Sequence, residues 1–106
     1  MSLREYIFKS WGMADIENRL RNGRYDNEED VETLINLYMQ ERLNTLKSLI
    51  GKHRGNEKSY NCTLKLLDTV RNEVERRSYR RIKTKIQEYR NEVLTLKMNF
   101  LLRARL

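Results

Sequence analysis

The stretch "ERRSYRRIKTKIQEYR", Glu75 to Arg90, decides how the second half of the chain folds. On either side of it, Tyr60, Leu64, Leu67, Val70, Val74, Ser78, Ile82, Ile86, Tyr89, Val93, Leu96 and Phe100 recur in steps of three and four, the spacing of one helical face. Unbroken, a helix over residues 57–105 would extend about 75 Å at about 1.5 Å per residue. A domain of 106 residues has no need of such a rod. The pattern therefore predicts either a bend near Ser78-Tyr79 or an arm that projects beyond its neighbours as a coiled coil.

Towards the N-terminus the same period continues. Asp26 and Glu29 have capping-box spacing, and the acidic run Asp26, Glu28, Glu29, Asp30, Glu32 lies where a helix start favours negative charge. Behind it, Val31, Ile35, Met39, Leu43, Leu46 and Ile50 predict a helix over 27–50, which Gly51 ends. A first helix is expected over 3–22. Ser2 and Glu5 form its capping box, Leu3, Ile7 and Trp11 its apolar face with Phe8 beside them, and Asn22-Gly23 its stop, while Gly12 is a candidate interruption. The short "GKHRGN" connection predicts that the middle helix packs antiparallel against the early part of the third, through Leu64, Leu67, Val70 and Val74.

With no proline and four glycines there is little to break helices, and no strand-type alternation is evident. The expected fold is all-α: one domain, residues 1–106, as a helical bundle or hairpin with a long C-terminal helix. A chain this short buries only roughly 60–70% of its unfolded surface, so a partner is expected to complete the core. The apolar ending has no glycine or polar tail to close it, as in a fragment of a longer chain or an end docked on a partner.

The chain carries +7, unevenly: residues 1–50 hold seven Lys/Arg against nine Asp/Glu, and residues 51–106 hold fifteen against six. An acidic front and a basic back are common in binding proteins. A lone cysteine, Cys62, and the lack of a secretory signal pattern predict an intracellular protein, and no apolar run is long enough to span a membrane. His53, the single histidine, has no partner at metal-ligand spacing. There is no Gly-rich phosphate loop and no nucleophile motif. A non-enzymatic role is expected, with no cofactor, metal or small-molecule substrate.

Six basic residues fall between Arg76 and Lys85 with no acid among them. Arg77, Arg81 and Lys85 form one row along a helix, and Arg76, Arg80 and Lys83 a second. Like charges at these steps cost an isolated helix a few tenths of a kcal/mol per pair. Glu73 offsets Arg77 and Glu88 offsets Lys85, but Arg80, Arg81 and Lys83 have no acid three or four residues away. Three surroundings are open to them: water, nucleic-acid phosphates with the track extended by Lys52, His53, Arg54 and Lys58, or an acidic protein surface such as the Asp26–Glu32 cluster of this chain or another.

The last fifteen residues, "EVLTLKMNFLLRARL", resemble the conserved helix of the GINS replication proteins, in which a glutamate precedes an aromatic or leucine pair and an "LRxRL" ending. The matching positions are Glu92, Phe100, Leu101, Leu102, Arg103, Arg105 and Leu106. The segment "RYDNEEDVETLINLYMQERLNTL", residues 24–46, is similar to the acidic-then-amphipathic helix earlier in that family's α-helical domain. The resemblance implies a subunit of a tetrameric scaffold that joins the replicative helicase to a polymerase or primase and has no catalytic activity of its own. Protein subunits are the expected partners, with Val93, Leu96, Phe100, Leu101 and Leu102 as the oligomer interface, because apolar residues there cover more than one helical face. The rival readings are a sequence-independent nucleic-acid-binding helical protein, viral or chromatin-associated, and an oligomeric adaptor that never meets nucleic acid.

Overall fold

The computed structural model describes residues 11–106. The expected capping box of Ser2 and Glu5, and the apolar positions Leu3, Ile7 and Phe8, lie outside them. The described residues form α1 (Met13–Arg21), α2 (Glu28–Ser48), a single 3₁₀ turn (Arg54–Asn56), α3 (Glu57–Arg76) and α4 (Arg80–Arg103). The architecture is all-α, with a long last helix.

The 57–105 span is two helices, divided at Ser78. Ser78 has φ of +62°, the left-handed region that L side chains enter only at a cost. Around it, the Tyr79 amide donates to the Val74 carbonyl at 2.9 Å and the Ser78 amide to the Glu75 carbonyl at 3.0 Å, the paired bonds that close a helix and reverse the chain. Gly23 ends α1 in the same way, with φ of +67° and the Arg24 amide on the Arg19 carbonyl. Serine does the work of glycine at the α3 end.

So short a connection makes α3 and α4 antiparallel neighbours, and theirs is the most extensive helix pairing among the described residues. Three ion pairs run down one side of it: Lys83 with Glu75 at 2.8 Å, Arg90 with Asp68 at 2.9 Å and Lys97 with Glu57 at 3.9 Å. On α4 they stand seven residues apart, two helical turns, and so share a face. The hairpin expected between the middle helix and the start of the third is thus not the principal one. Instead α2 lies across the α3–α4 pair and contacts α4 more than α3. It runs parallel to α4, since Asn36 accepts from the Tyr89 hydroxyl and Glu28 from the Ile82 amide, and antiparallel to α3, since Leu46 accepts from the Tyr60 hydroxyl and Arg42 donates to Thr63.

The core lies between the three long helices. Ile35, Met39 and Leu46 of α2, Leu67, Val70 and Val74 of α3, and Ile82, Ile86, Val93 and Phe100 of α4 are all buried, and α1 adds Ile16 and Leu20. The rings of Tyr60 and Phe100 meet at 5.0 Å between centroids. Val93, Leu96 and Phe100 were expected to face a second subunit. They face this core instead, because α4 is enclosed by two helices of its own chain rather than one.

The cap of α2 is one residue later than the spacing of Asp26 and Glu29 implies. Asn27 accepts from the Asp30 amide at 2.9 Å, while the Asp30 carboxylate reaches back to the Asp26 amide at 3.3 Å. Asp30 is buried by this role.

The left-handed serine gives a direct test of the reversal. Ser78→Gly relieves roughly 1 kcal/mol of backbone strain and gives back part of it through the more flexible unfolded chain. A net rise of several tenths of a kcal/mol is expected in urea denaturation, and Ser78→Val should lower stability by about 1 kcal/mol or more. A fall for the glycine variant would mean that the chain does not reverse in this conformation.

Candidate functional site

At the corner where α3 turns into α4, most of the basic residues find counter-charges within the chain. Glu73 takes both Arg76 and Arg77, the latter through Nε at 3.0 Å. These bonds hold the Glu73 carboxyl below the ordinary carboxylate range. Lys83 does the same to Glu75 across the turn. Arg81 lies 3.7 Å from Glu28 and 3.8 Å from Glu32, both on α2, but its side chain is 70% exposed and the attraction is correspondingly weak. The Lys85 ammonium sits 5.3 Å from the centre of the Tyr89 ring. Arg80 is exposed and makes no ion pair among the described residues.

Arg77 has a structural role that the two-row pattern does not reveal. Its guanidinium donates to the Tyr25 carbonyl at 2.5 Å and the Gly23 carbonyl at 2.7 Å, and lies 4.5 Å over the Tyr25 ring. The fork thereby joins the α1–α2 connection to the α3–α4 corner. Burial opposes its charge, but Glu73, Tyr79 and Tyr25 together outweigh that and its pKa moves further up. A Cβ on Gly23 would stand 3.4 Å from an Arg77 nitrogen, ordinary van der Waals contact, so it is the positive φ that makes glycine the fitting residue there.

The acidic cluster at the start of α2 is used at this corner too. Tyr79 provides no side-chain cap for α4, and the Glu28 carboxylate accepts from the Ile82 amide at 3.2 Å instead. A carboxylate at that place satisfies an orphan donor and complements the helix dipole, worth about 0.3–1 kcal/mol.

Lys52, Arg54 and Lys58 do not extend this track. They stand at the other end of α3, whose 20 residues span about 30 Å. There the loop meets the end of the chain: the Arg105 amide donates to the Lys52 carbonyl at 3.1 Å, the Arg54 amide donates to the Arg105 carbonyl at 2.8 Å, and His53 and Arg105 form a parallel bridge. Arg103 and Arg105 thus join Lys52 and Arg54, a grouping absent from the sequence reading. The signal was available only in the lengths of the two arms: once the chain reverses at Ser78, 24 residues of α4 return past the first residue of α3.

Of the expected interface residues, Leu101 is half-buried and Leu102 is 81% exposed. Leu102 stands with Met98, 62% exposed, and Leu106, 97% exposed, as the large hydrophobic side chains left in solvent among the described residues. Met98 and Leu102 are one turn apart on α4.

Elsewhere, Cys62 is exposed, and the His53 Nδ1 accepts from the Gly55 amide at 2.9 Å, which fixes the turn. Among the described residues no group of three or more His, Cys, Asp or Glu stands where it could hold a metal ion, and no helix is long and apolar enough to cross a membrane. A groove beside α1 is lined by Trp11, Met13, Ile16, Leu37 and Leu43, and the Arg19 guanidinium lies over the Trp11 ring at 4.1 Å. No protein-family model matches the chain, and no curated protein or solved structure matches it either.

Burial pushes the Tyr25 phenol up to about 12, against the pull of Arg77, and raises Tyr38 and Tyr60 as well. A pKa raised by folding gives stability that is complete below the unfolded value, about 10 for tyrosine, and is lost as pH climbs through the folded one. The protein should therefore weaken between pH 10 and about 12. The Tyr25 hydroxyl has no hydrogen-bond partner among the described residues, so Tyr25→Phe should leave stability at pH 7 nearly unchanged and make the alkaline decline shallower. Urea midpoints measured from pH 8 to 11.5 test this; identical alkaline limbs would place the phenol in water.

Proposed function

We propose that the chain is a non-catalytic helical interaction subunit of a DNA-processing complex, with GINS-like replication as the favoured case. The observation that carries the reading is the exposure of Met98 and Leu102, one turn apart at the end of α4, with Leu106 exposed just beyond the helix. Apolar residues left in water together mark a surface that another protein covers. The patch falls within the tail that resembles the GINS helix. In that tail Phe100 serves the core, whereas Leu102, Arg103, Arg105 and Leu106 are exposed. An aromatic inside and a leucine-arginine edge outside is the division of labour a docking helix needs: one side fixes it to its own bundle and the other meets the partner.

Support also comes from the corner. Glu28, Glu32, Glu73 and Glu75 are engaged with the chain's own arginines and lysine, and Arg77 holds connections rather than a ligand. That end of the molecule serves folding and leaves the opposite end for partners.

Light scattering at micromolar concentration should report a dimer or larger species, and Met98→Lys with Leu102→Lys should return it to the 12.9 kDa monomer with unchanged helicity. From its own cells the protein should purify in a particle that also contains replicative helicase, polymerase or primase subunits. A soluble monomer that purifies alone would overturn the reading.

A further inference from the structure

The two basic groups of this chain differ in how far their charge is neutralised. At the corner, Arg76, Arg77, Arg81 and Lys83 each have a carboxylate within 4 Å. At the opposite end, Lys52, Arg54, Lys58, Arg103 and Arg105 are exposed and none forms an ion pair among the described residues. The acid nearest in sequence to that loop, Glu57, already faces Lys97. Folding brings these cations together, because the paired backbone of Lys52, Arg54 and Arg105 joins segments some 50 residues apart. Gathering like charges without acids works against stability, which points to an anion supplied from outside.

We propose that the 52–54 loop and the end of α4 form a single nucleic-acid site that grips the phosphodiester backbone through Lys52, Arg54, Arg103 and Arg105. The backbone pairing fixes where the side chains start, so less freedom is lost when a strand binds. Paired residues of a bridge project to one side, which sets His53 beside Arg105, while the long exposed side chains of Lys52 and Arg54 start from the other side of the same loop. The loop from Lys52 to Asn56 contains no apolar side chain, and so lacks the buried anchor that a protein partner would use. Within the acidic run of a second copy, Glu28 and Glu32 already face Arg81, and Asp30 is buried at the cap of α2. On the loop side, lysine and arginine without an apolar anchor suit a regular array of phosphates, read without regard to base sequence.

The site borders the leucine-arginine edge assigned to subunit contact, and the readouts separate the two: light scattering bears on that edge and the salt slope on the phosphate site. A fluorescein-labelled 20-base-pair duplex, titrated by anisotropy between 50 and 200 mM salt, tests it. Lys52→Gln, Arg54→Gln and Arg105→Gln together should flatten the slope of log affinity against log salt by about 2.7, at about 0.9 per lost phosphate contact, for any base sequence. The backbone bridge does not use these side chains, so far-UV circular dichroism should be unchanged. If the triple variant nevertheless loses helicity, Arg54→Gln alone should flatten the slope by about 0.9. Arg80→Gln, Arg81→Gln and Lys83→Gln together should change it by less than about one contact's worth. No binding at 50 mM salt, a slope that collapses in the corner variant instead, or equal and equally sensitive binding of polyglutamate, which would mark an acidic-protein site, would each overturn the proposal.

Discussion

The reversal at Ser78 is the constraint on which the rest of the molecule depends. It converts one apolar stripe into two facing ones, so that Leu67, Val70 and Val74 can bury Ile82, Ile86 and Val93. Without it, the third helix would present its hydrophobic seam to whatever lay alongside. The Arg77 fork, one residue before the turn, then couples this reversal to the α1–α2 connection by binding its carbonyls. An arginine suits the position because its planar donors serve two carbonyls and a carboxylate at once while its face covers a tyrosine ring, which a lysine ammonium cannot do.

Electrostatics at that corner act through helix ends more than through pairs of surface charges. The acids that open α2 stabilise their own helix and, through Glu28, the start of α4 as well. One carboxylate thus serves two helix N-termini that lie side by side because α2 and α4 run parallel. The exposed pairs of Arg81 add little by comparison.

Much of this was legible in the sequence because its signals are local. Periodicity marks the helices, the glycines at 23 and 51 end two of them, and the acidic run places the start of α2. The break at Ser78 is harder to read, since serine is not a usual left-handed residue and Val74, Ser78 and Ile82 keep the helical period through the turn. Asn27 displaced Asp26 as the cap because a string of polar residues offers several equivalent registers. Val93, Leu96 and Phe100 appeared to need a partner only while α4 was credited with one neighbour. Pairing of Lys52 and Arg54 with Arg105 has no local signature, as it is made by backbone groups that every residue carries.

That pairing has a dynamic consequence. The α3–α4 hairpin is closed at both ends, by the turn at Ser78 and by the bridge at His53, so it forms a ring rather than a pair of free arms. Helix ends ordinarily fray one residue at a time, independently of distant loops. Here the final turn of α4 cannot unwind without releasing the loop before α3, and the loop cannot lift without loosening the helix. The two segments share one opening equilibrium, and anything that binds either of them slows the breathing of both.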